Sequence, residues 1–160
     1  WRKVAAGDGA TCGLDTNREV YCWGRGDVVP GLDQPGTDVP QRIGAELWDD
    51  VAVGSGHACA VRTTGGNAVA CWGTGAYGRV GDGTEETAPH GPVTLTLPVG
   101  IRAVAAAGDG AIVETSVGLL GVDRDGKLVW RMPDTGAWIV SGDQVIVGTT
   151  QGIVGFPLPR

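Results

Sequence analysis

Short, half-apolar stretches alternate along this chain with clusters of glycine and polar residues. No stretch of about 12 residues free of Gly and Pro shows the 3.6-residue period of a helix. The alternation instead predicts an all-β protein with short strands and tight turns. Strands are expected near 2–6, 10–14, 19–23, 49–53, 58–63 and 67–73, and at Ala111–Thr115, Leu119–Asp123, Lys127–Met132, Ala137–Ser141, Gln144–Thr149 and Ile153–Leu158.

One segment recurs along the chain. The pattern Trp-x-x-Val-Ala-x-Gly-x-Gly begins at Trp1, returns at Trp48, and returns at Ile101 with Ile for Trp and one inserted residue. Repeats of roughly 50 residues with several short strands each indicate the blades of a β-propeller. The predicted blade units span about 1–47, 48–100 and 101–160.

Stacking explains why such units repeat. One sheet alone leaves its apolar faces in water, whereas sheets stacked around an axis bury them in turn. Glycine at the inner turns lets neighbouring backbones approach closely. Trp23 and Trp72, each inside a Cys-Trp-Gly sequence, are expected to fill the space between blades. The prediction is a single β-propeller-like domain or fragment of antiparallel four-stranded sheets, about three to three and a half blades in all.

The second unit carries the fullest motif. Val-Ala-x-Gly-x-Gly-His-x-Cys-Ala-Val starts at Val51, Cys-Trp-Gly follows, and Gly-Arg-Val-Gly-Asp-Gly starts at Gly78. With the first unit, in which Ala10 replaces the histidine, residues 1–96 resemble the regulator of chromosome condensation repeat family. The resemblance implies a seven-bladed propeller that serves as a binding platform. Eukaryotic members exchange nucleotides on a small GTPase, and bacterial members include secreted β-lactamase inhibitors; neither activity is carried over, because no partner-binding residue is matched.

Residues 101–160 follow a different pattern. A strand, an Asp125-Gly126 turn and a strand that bears Trp130 succeed one another. This order is similar to the blades of quinoprotein-type propellers. The resemblance concerns blade type alone, so we expect no quinone and no other cofactor.

Four cysteines form two pairs, Cys12 with Cys22 and Cys59 with Cys71, on the two arms of predicted hairpins. Directly opposed strand positions lie within disulfide reach. The third unit lacks both cysteines, with Val113 at the first position, and joint presence with joint loss favours a bond in each pair. Buried free thiols in a cytosolic protein and a zinc site are the alternatives, although the spacing lacks the short Cys-x-x-Cys separation of zinc knuckles.

Disulfides place the protein outside the reducing cytosol, as a secreted, periplasmic or cell-surface protein. Low lysine with high glycine and threonine is typical of a bacterial secreted or envelope protein. Twelve basic residues against 18 acidic ones give a formal net charge of −6, which argues against nucleic acid as a partner. The apolar runs are too short for membrane insertion.

No catalytic or metal-binding residue is predicted. Ser55 occupies a turn position that holds aspartate in the other units, and His57 is expected to be the structural histidine of the repeat rather than a base for Ser55. The segment 123–126 has only half of a calcium loop, and an Asp-Gly hairpin turn explains it better.

Two loops, 25–35 and 75–90, are the predicted partner surface, because function usually lies on loops that a rigid scaffold positions. Arg25 and Asp27 frame an integrin-type tripeptide in the first loop. The second loop offers Tyr77, Arg79 and Asp82; tyrosine and arginine are enriched at the energetic centres of interfaces.

Three to three and a half blades do not complete a ring of four to eight. The chain is therefore expected to be a fragment of a longer propeller, to close with further copies of itself, or to dock as an open stack on another subunit. The predicted function is a non-catalytic secreted or cell-envelope module that mediates protein–protein interaction as a subunit or fragment of a surface assembly. A carbohydrate-binding propeller and part of an enzyme with its active site in missing blades are the alternatives.

Overall fold

All elements of the chain in the computed structural model are β-strands within the residues that it describes. Those residues are 1–7, 9–25, 36–63, 67–74, 89–96, 100–107, 110–122, 128–133, 137–141, 144–149 and 152–158. The prediction of an all-β protein built from short antiparallel strands is confirmed. The described part of the chain holds no helix with the length and apolarity that crossing a bilayer requires.

The described strands form three four-stranded sheets and one three-stranded sheet, each an antiparallel meander in chain order. Sheet 1 contains β1 (Lys3–Ala6), β2 (Ala10–Leu14), β3 (Val20–Gly24) and β4 (Thr37–Arg42). Sheet 2 contains β5 (Asp50–Val53), β6 (His57–Arg62), β7 (Ala68–Thr74) and β8 (Pro89–Thr96). Sheet 3 contains β9 (Ile101–Ala107), β10 (Gly110–Thr115), β11 (Gly118–Val122) and β12 (Leu128–Met132). Sheet 4 contains β13 (Trp138–Ser141), β14 (Gln144–Thr149) and β15 (Gly152–Pro157).

Three strands of this list, β4, β8 and β9, have no counterpart among the strands expected from the sequence, although β9 covers the start of the third repeat. β4 contains Pro40, and β8 contains Pro89 and Pro92, which interrupt the pattern of strand-forming residues. Both strands lie at the outer edge of their sheets, where a proline costs no ladder hydrogen bond. The stretch 101–160, predicted as one unit, contains the two sheets 3 and 4.

The sheets stack face to face. Because side chains alternate along a strand, successive residues point toward the preceding sheet and toward the following sheet in turn. In β6, Ala58 and Ala60 face sheet 1, whereas Cys59 and Val61 face sheet 3, and all four are buried. We call the face of a sheet toward the preceding sheet its leading face and the opposite one its trailing face. Each apolar core of the described chain lies between a trailing face and the next leading face.

The first core shows how such a junction is filled. Sheet 1 contributes Leu14 and Val20 from its trailing face, together with the disulfide between its two cysteines. Sheet 2 contributes the large side chains of Trp48 and Trp72 from its leading face, and both are fully buried. The expectation that Trp72 fills the space between blades is confirmed.

The inner strands of the sheets approach one another at glycine. A Cβ atom at Gly7 would lie 2.3 Å from the carbonyl oxygen of Gly54 in the next sheet. A Cβ atom at Gly54 would lie 2.5 Å from Cε1 of His57 and 3.2 Å from Cβ of Ala106 in sheet 3. These separations leave no room for a side chain, so glycine sets how closely the inner ends of the sheets converge.

Two aspartates form ion pairs and hydrogen bonds between neighbouring sheets. Asp50, buried in sheet 2, pairs with Lys3 Nζ of sheet 1 and accepts from the backbone N–H of Val104 in sheet 3 at 3.4 Å. Asp49 pairs with Arg18 Nε of sheet 1 at 2.9 Å and accepts from the N–H and hydroxyl of Thr63, both at 2.7 Å. Buried charges of this kind require such partners.

The pKa of Asp49 reflects these contacts. Partial burial raises it, but the hydrogen bonds from Thr63 and the charge of Arg18 outweigh that effect, and the pKa lies below its ordinary value. The ionised form therefore stabilises the folded state above the unfolded pKa of 3.8, and this contribution is lost as the pH falls through the folded pKa.

The first prediction concerns the glycine contact. Gly54→Ala is expected to lower the free energy of unfolding by about 1–3 kcal/mol, because the added methyl group overlaps the His57 ring. Urea unfolding followed by tryptophan fluorescence measures the change. Gly148→Ala is the matched control, since its Cβ would make an ordinary 3.4 Å contact with the Ala137 carbonyl oxygen. Equal effects of the two substitutions would contradict the steric explanation.

The second prediction concerns Asp49. Asp49→Asn is expected to destabilise the protein at neutral pH by about 1–2 kcal/mol, because charged hydrogen bonds to Arg18 and Thr63 weaken. The difference from the native protein should shrink below about pH 4, where the native carboxylate is protonated too. Thermal unfolding at several pH values tests this. Glu46→Gln, which breaks an exposed pair with Arg62, should change little at any pH.

Candidate functional site

The predicted loop residues are only partly within the described chain. Arg25 lies directly after β3, is exposed, and donates its backbone N–H to the Gly9 carbonyl at 2.9 Å. The other predicted contact residues lie outside the described residues: Asp27, Tyr77, Arg79 and Asp82. Their grouping into a partner surface stays a prediction.

Both cysteine pairs form disulfides. Cys12 bonds Cys22, and Cys59 bonds Cys71, each across directly opposed strand positions with Cα atoms 4.1 Å apart. The first bond lies in the core between sheets 1 and 2, and the second in the core between sheets 2 and 3. Both bonds therefore belong to the packing of the fold and not to an exposed site.

The third unit fills the disulfide position in another way. Cys12 and Cys59 lie opposite Ala5 and Ala52, and in sheet 3 the residue opposite Ala105 is Ile112. The assignment of Val113 to the first cysteine position is therefore wrong, because β9 and β10 pair in the same register as β1 and β2, and the extra residue in the motif does not move the pairing. A shift of one residue in a strand moves a side chain to the other face, and Val113 indeed lies on the leading face of sheet 3.

His57 is fully buried, with its ring against Gly54, whereas Ser55 in the preceding turn is exposed. Among the described residues, no group of three His, Cys, Asp or Glu side chains is placed to hold a metal ion. A groove between sheets 1 and 2 is lined by apolar and small residues and by one carboxylate; its residues are Ile43, Gly44, Glu46, Trp48, Pro92 and Thr94.

The feature with the clearest potential for binding is the leading face of sheet 1. Cross-strand register places Val4, Gly13 and Tyr21 in one row on this face. Trp1 covers Gly13, since a Cβ atom there would lie 2.6 Å from Cε3 of the indole. The Trp1 ring centroid is 5.8 Å from those of Tyr21, edge-on, and Trp23, tilted. The result is an aromatic cluster on a sheet face with no preceding sheet among the described residues.

The equivalent positions of the next repeat show that these side chains are of the type that packs between two sheets. Trp1 is 60% exposed, whereas its counterpart Trp48 in sheet 2 is 1% exposed. Val4 is 52% exposed, whereas its counterpart Val51 is fully buried. Trp23, expected between blades, is only half-buried, because no described sheet packs against it, whereas sheet 1 packs against Trp72. The leading face of sheet 1 thus carries the side chains of an inter-sheet core without the opposing sheet.

Polar groups border the aromatic cluster. Tyr21 donates its hydroxyl to Glu19 Oε2 at 2.9 Å, and Arg42 pairs with Glu19 Oε1 at 2.8 Å. The hydrogen bond to Glu19, with burial and the nearby carboxylates, raises the pKa of Tyr21, so the phenol stays neutral. An apolar centre with a polar border is the usual anatomy of a protein interface.

The opposite end of the stack is the trailing face of sheet 4. Ile139 and Ile146 lie opposite each other on this face, and Ile153 lies opposite Gly148. Ile139 is 61% exposed and Ile153 is 80% exposed, whereas Val145 and Val147 on the leading face of the same sheet are fully buried. These isoleucines form a shallow apolar groove with Ala137, Trp138 and Gly148.

Comparison with known proteins agrees with this architecture. The family model described as "Regulator of chromosome condensation (RCC1) repeat" matches residues 1–28. Over 97% of the chain, the fold is similar to human WBSCR16, with TM-score 0.70 and 20% identity, and to yeast RCC1 (Prp20) in its complex with Kap60, with TM-score 0.66 and 19% identity. The computationally designed Ika4 protein is similar over 97% of this chain and 89% of its own, with TM-score 0.55 and 12% identity.

The chain spans less than half the length of the two natural proteins, 47% of WBSCR16 and 43% of the yeast protein. At these identities the structural likeness is one of fold. The resemblance to the regulator of chromosome condensation repeat family, predicted from the motifs, is confirmed by the model match at residues 1–28 and by the β-propeller fold that this chain shares with those proteins.

Proposed function

We propose that this chain is a non-catalytic, extracytoplasmic β-propeller module whose role is to bind another protein. The observation that carries the proposal is the leading face of sheet 1, where Trp1 and Val4 are exposed and Trp23 is half-buried at positions that the next repeat buries. An apolar sheet face of this kind must be covered or it promotes aggregation. A protein partner with an apolar surface is the occupant that such a face fits.

The chemistry of the face supports a protein partner. Tryptophan and tyrosine are enriched at the energetic centres of interfaces, and here three aromatic rings contact one another inside a border formed by Glu19 and Arg42. The similar yeast propeller was solved as a complex with another protein, Kap60. In the groove that the described residues form between sheets 1 and 2, Glu46 is the single titratable side chain, which supports binding over catalysis.

Carbohydrate binding is the second candidate, and the exposed Trp1 favours it, because sugar rings stack on exposed indoles. The repeat argues for the protein partner instead. Trp48, which occupies the same position in sheet 2, packs against protein and is not available to a ligand. Trp1 moreover uses one side of its ring to cover Gly13.

The disulfides support an extracytoplasmic location. Bonds such as those of Cys12 and Cys59 persist in oxidising compartments and are rare in the cytosol. Each closes a short loop, with sequence separations of 10 and 12 residues, and stabilises the fold by roughly 3 kcal/mol in the chain-entropy model.

The location is tested by the thiol state of the protein from its native source. Denaturation in the presence of a thiol-alkylating reagent, without reductant, is expected to leave all four cysteines unlabelled. Prior reduction should allow complete labelling, which is the internal control. Labelling of all four cysteines without reductant would contradict the extracytoplasmic location and leave the binding proposal standing.

The binding face is tested by site-specific photo-crosslinking in the native source. Trp23→p-benzoylphenylalanine should give an adduct with a protein, and mass spectrometry of the adduct identifies the contacted residues. The additional substitution Val4→Asp should abolish the adduct, because it puts a charge in the centre of the face. Val117→Asp, at an exposed turn of sheet 3, is the matched control and should leave it unchanged.

Two results would contradict the binding proposal. The first is an adduct that Val4→Asp does not affect, because the contact would then involve another surface. The second is the absence of any protein adduct together with glycan binding that Trp1→Ala abolishes, which would establish carbohydrate recognition instead.

A further inference from the structure

We infer that the leading face of sheet 1 binds the trailing face of sheet 4 of a second copy of this chain, so that two copies form a closed ring of sheets. The inference rests on the proposed function, since it names the protein that covers the exposed aromatic cluster. Each core of the described chain lies between the trailing face of one sheet and the leading face of the next. The two ends of the described stack are therefore different: the leading face of sheet 1 is uncovered at one end, and the trailing face of sheet 4 is uncovered at the other.

One copy does not close on itself. Four sheets are enough for the smallest propellers. A ring closed by one chain would bury both ends against each other, yet Trp1 is 60% exposed and Ile153 is 80% exposed. The two faces of one chain are therefore apart, and neither covers the other.

One copy covers about half the length of a protein with this fold. The alignment with WBSCR16 spans 97% of this chain at a TM-score of 0.70, and it covers 47% of that protein. A second copy would therefore supply about the length that one copy lacks. Two copies provide eight sheets from the described residues, which lies within the range of four to eight blades for propellers.

The two end faces are chemically suited to each other in the manner of the first core. There, Trp48 and Trp72 of a leading face pack into an aliphatic trailing face that contains Leu14 and Val20. At the ends, Trp1 and Trp23 take the repeat positions of those tryptophans. The trailing face of sheet 4 offers branched aliphatic side chains with a groove between them, at Ile139, Ile146, Ile153, Ala137 and Gly148.

Symmetry follows from this pairing. A contact between two different faces is heterologous, and it produces a ring when the rotation closes and an open filament when it does not. With half a ring in each copy, two identical junctions close the assembly and leave no apolar end. Each junction buries the aromatic cluster of one copy and the isoleucines of the other.

The experiment measures the mass of the oxidised, 160-residue chain at micromolar concentration by native mass spectrometry and by light scattering after size exclusion. The expected species is a dimer of the 16.3 kDa chain. Val4→Asp on the leading face and Ile153→Asp on the trailing face should each convert the dimer into a monomer, because every junction then contains one altered face. Both sites are exposed in one copy, so the substitutions leave the internal cores intact; circular dichroism and retained disulfides confirm folding.

A mixture of the two variants separates a head-to-tail pairing from other dimers. The unaltered trailing face of Val4→Asp and the unaltered leading face of Ile153→Asp can still form one junction, so the mixture should regain a dimer that neither variant forms alone. Val117→Asp, outside both faces, should remain dimeric. A native chain that is monomeric, a dimer that survives either single substitution, or an open series of larger species would overturn the inference.

The two proposals fail in different ways. If the chain is monomeric but position 23 crosslinks to a different protein, or to a further segment of the same polypeptide, the ring of two copies is wrong and the binding face stands. If position 23 gives no protein adduct that depends on Val4, the proposed function itself is wrong. If the crosslinked peptide in the native source comes from sheet 4 of another copy, both are supported.

Discussion

The alternation of side chains along each strand is the constraint on which the rest of this fold depends. A strand buried on one side only can leave every second residue polar, but β6 is buried on both sides and is apolar on both. Its two sets of side chains belong to different cores, one shared with sheet 1 and one with sheet 3. Sheet 2 therefore depends on both of its neighbours, and its stability comes mainly from the contacts with them.

The packing between the second and third strands differs between the first two sheets and sheet 3. In sheets 1 and 2 a disulfide joins the opposed positions. In sheet 3 the same positions hold Ile112 and Gly121, and the ring of Trp130 covers the glycine, so that a Cβ there would lie 2.3 Å from the indole. A large residue, an absent side chain and a neighbouring ring together occupy the place that the disulfide fills in sheets 1 and 2.

The repeat and the disulfides could be predicted from the sequence, because they depend on spacing: opposed hairpin positions follow from strand length and turn position. The edge strands β4 and β8 could not, since their prolines oppose a strand assignment and only their place at the sheet edge permits them. The equivalence of Ile112 with Cys12 follows only from the pairing of β9 with β10, because the extra residue in the third motif suggests Val113 instead. Within the candidate site, residue types point to the two loops, whereas nothing in the sequence distinguishes the leading face of sheet 1: Trp1 and Trp48 have the same sequence context, and only the stacking order exposes one of them.

An end of this kind is a necessary result of building a fold from directional repeats. Because each sheet has a leading and a trailing face, any number of stacked sheets ends in one face of each type, and the ends attract each other. What decides between a ring and a filament is the angle between successive sheets. On the first strands, Gly7 and Gly54 leave no room for a side chain between neighbouring sheets, whereas Trp72 on the third strand of sheet 2 is fully buried between sheets 1 and 2. Small residues on the first strands and a large one on the third favour a closer approach at one edge of the sheets than at the other, and repetition of this asymmetry curves the stack.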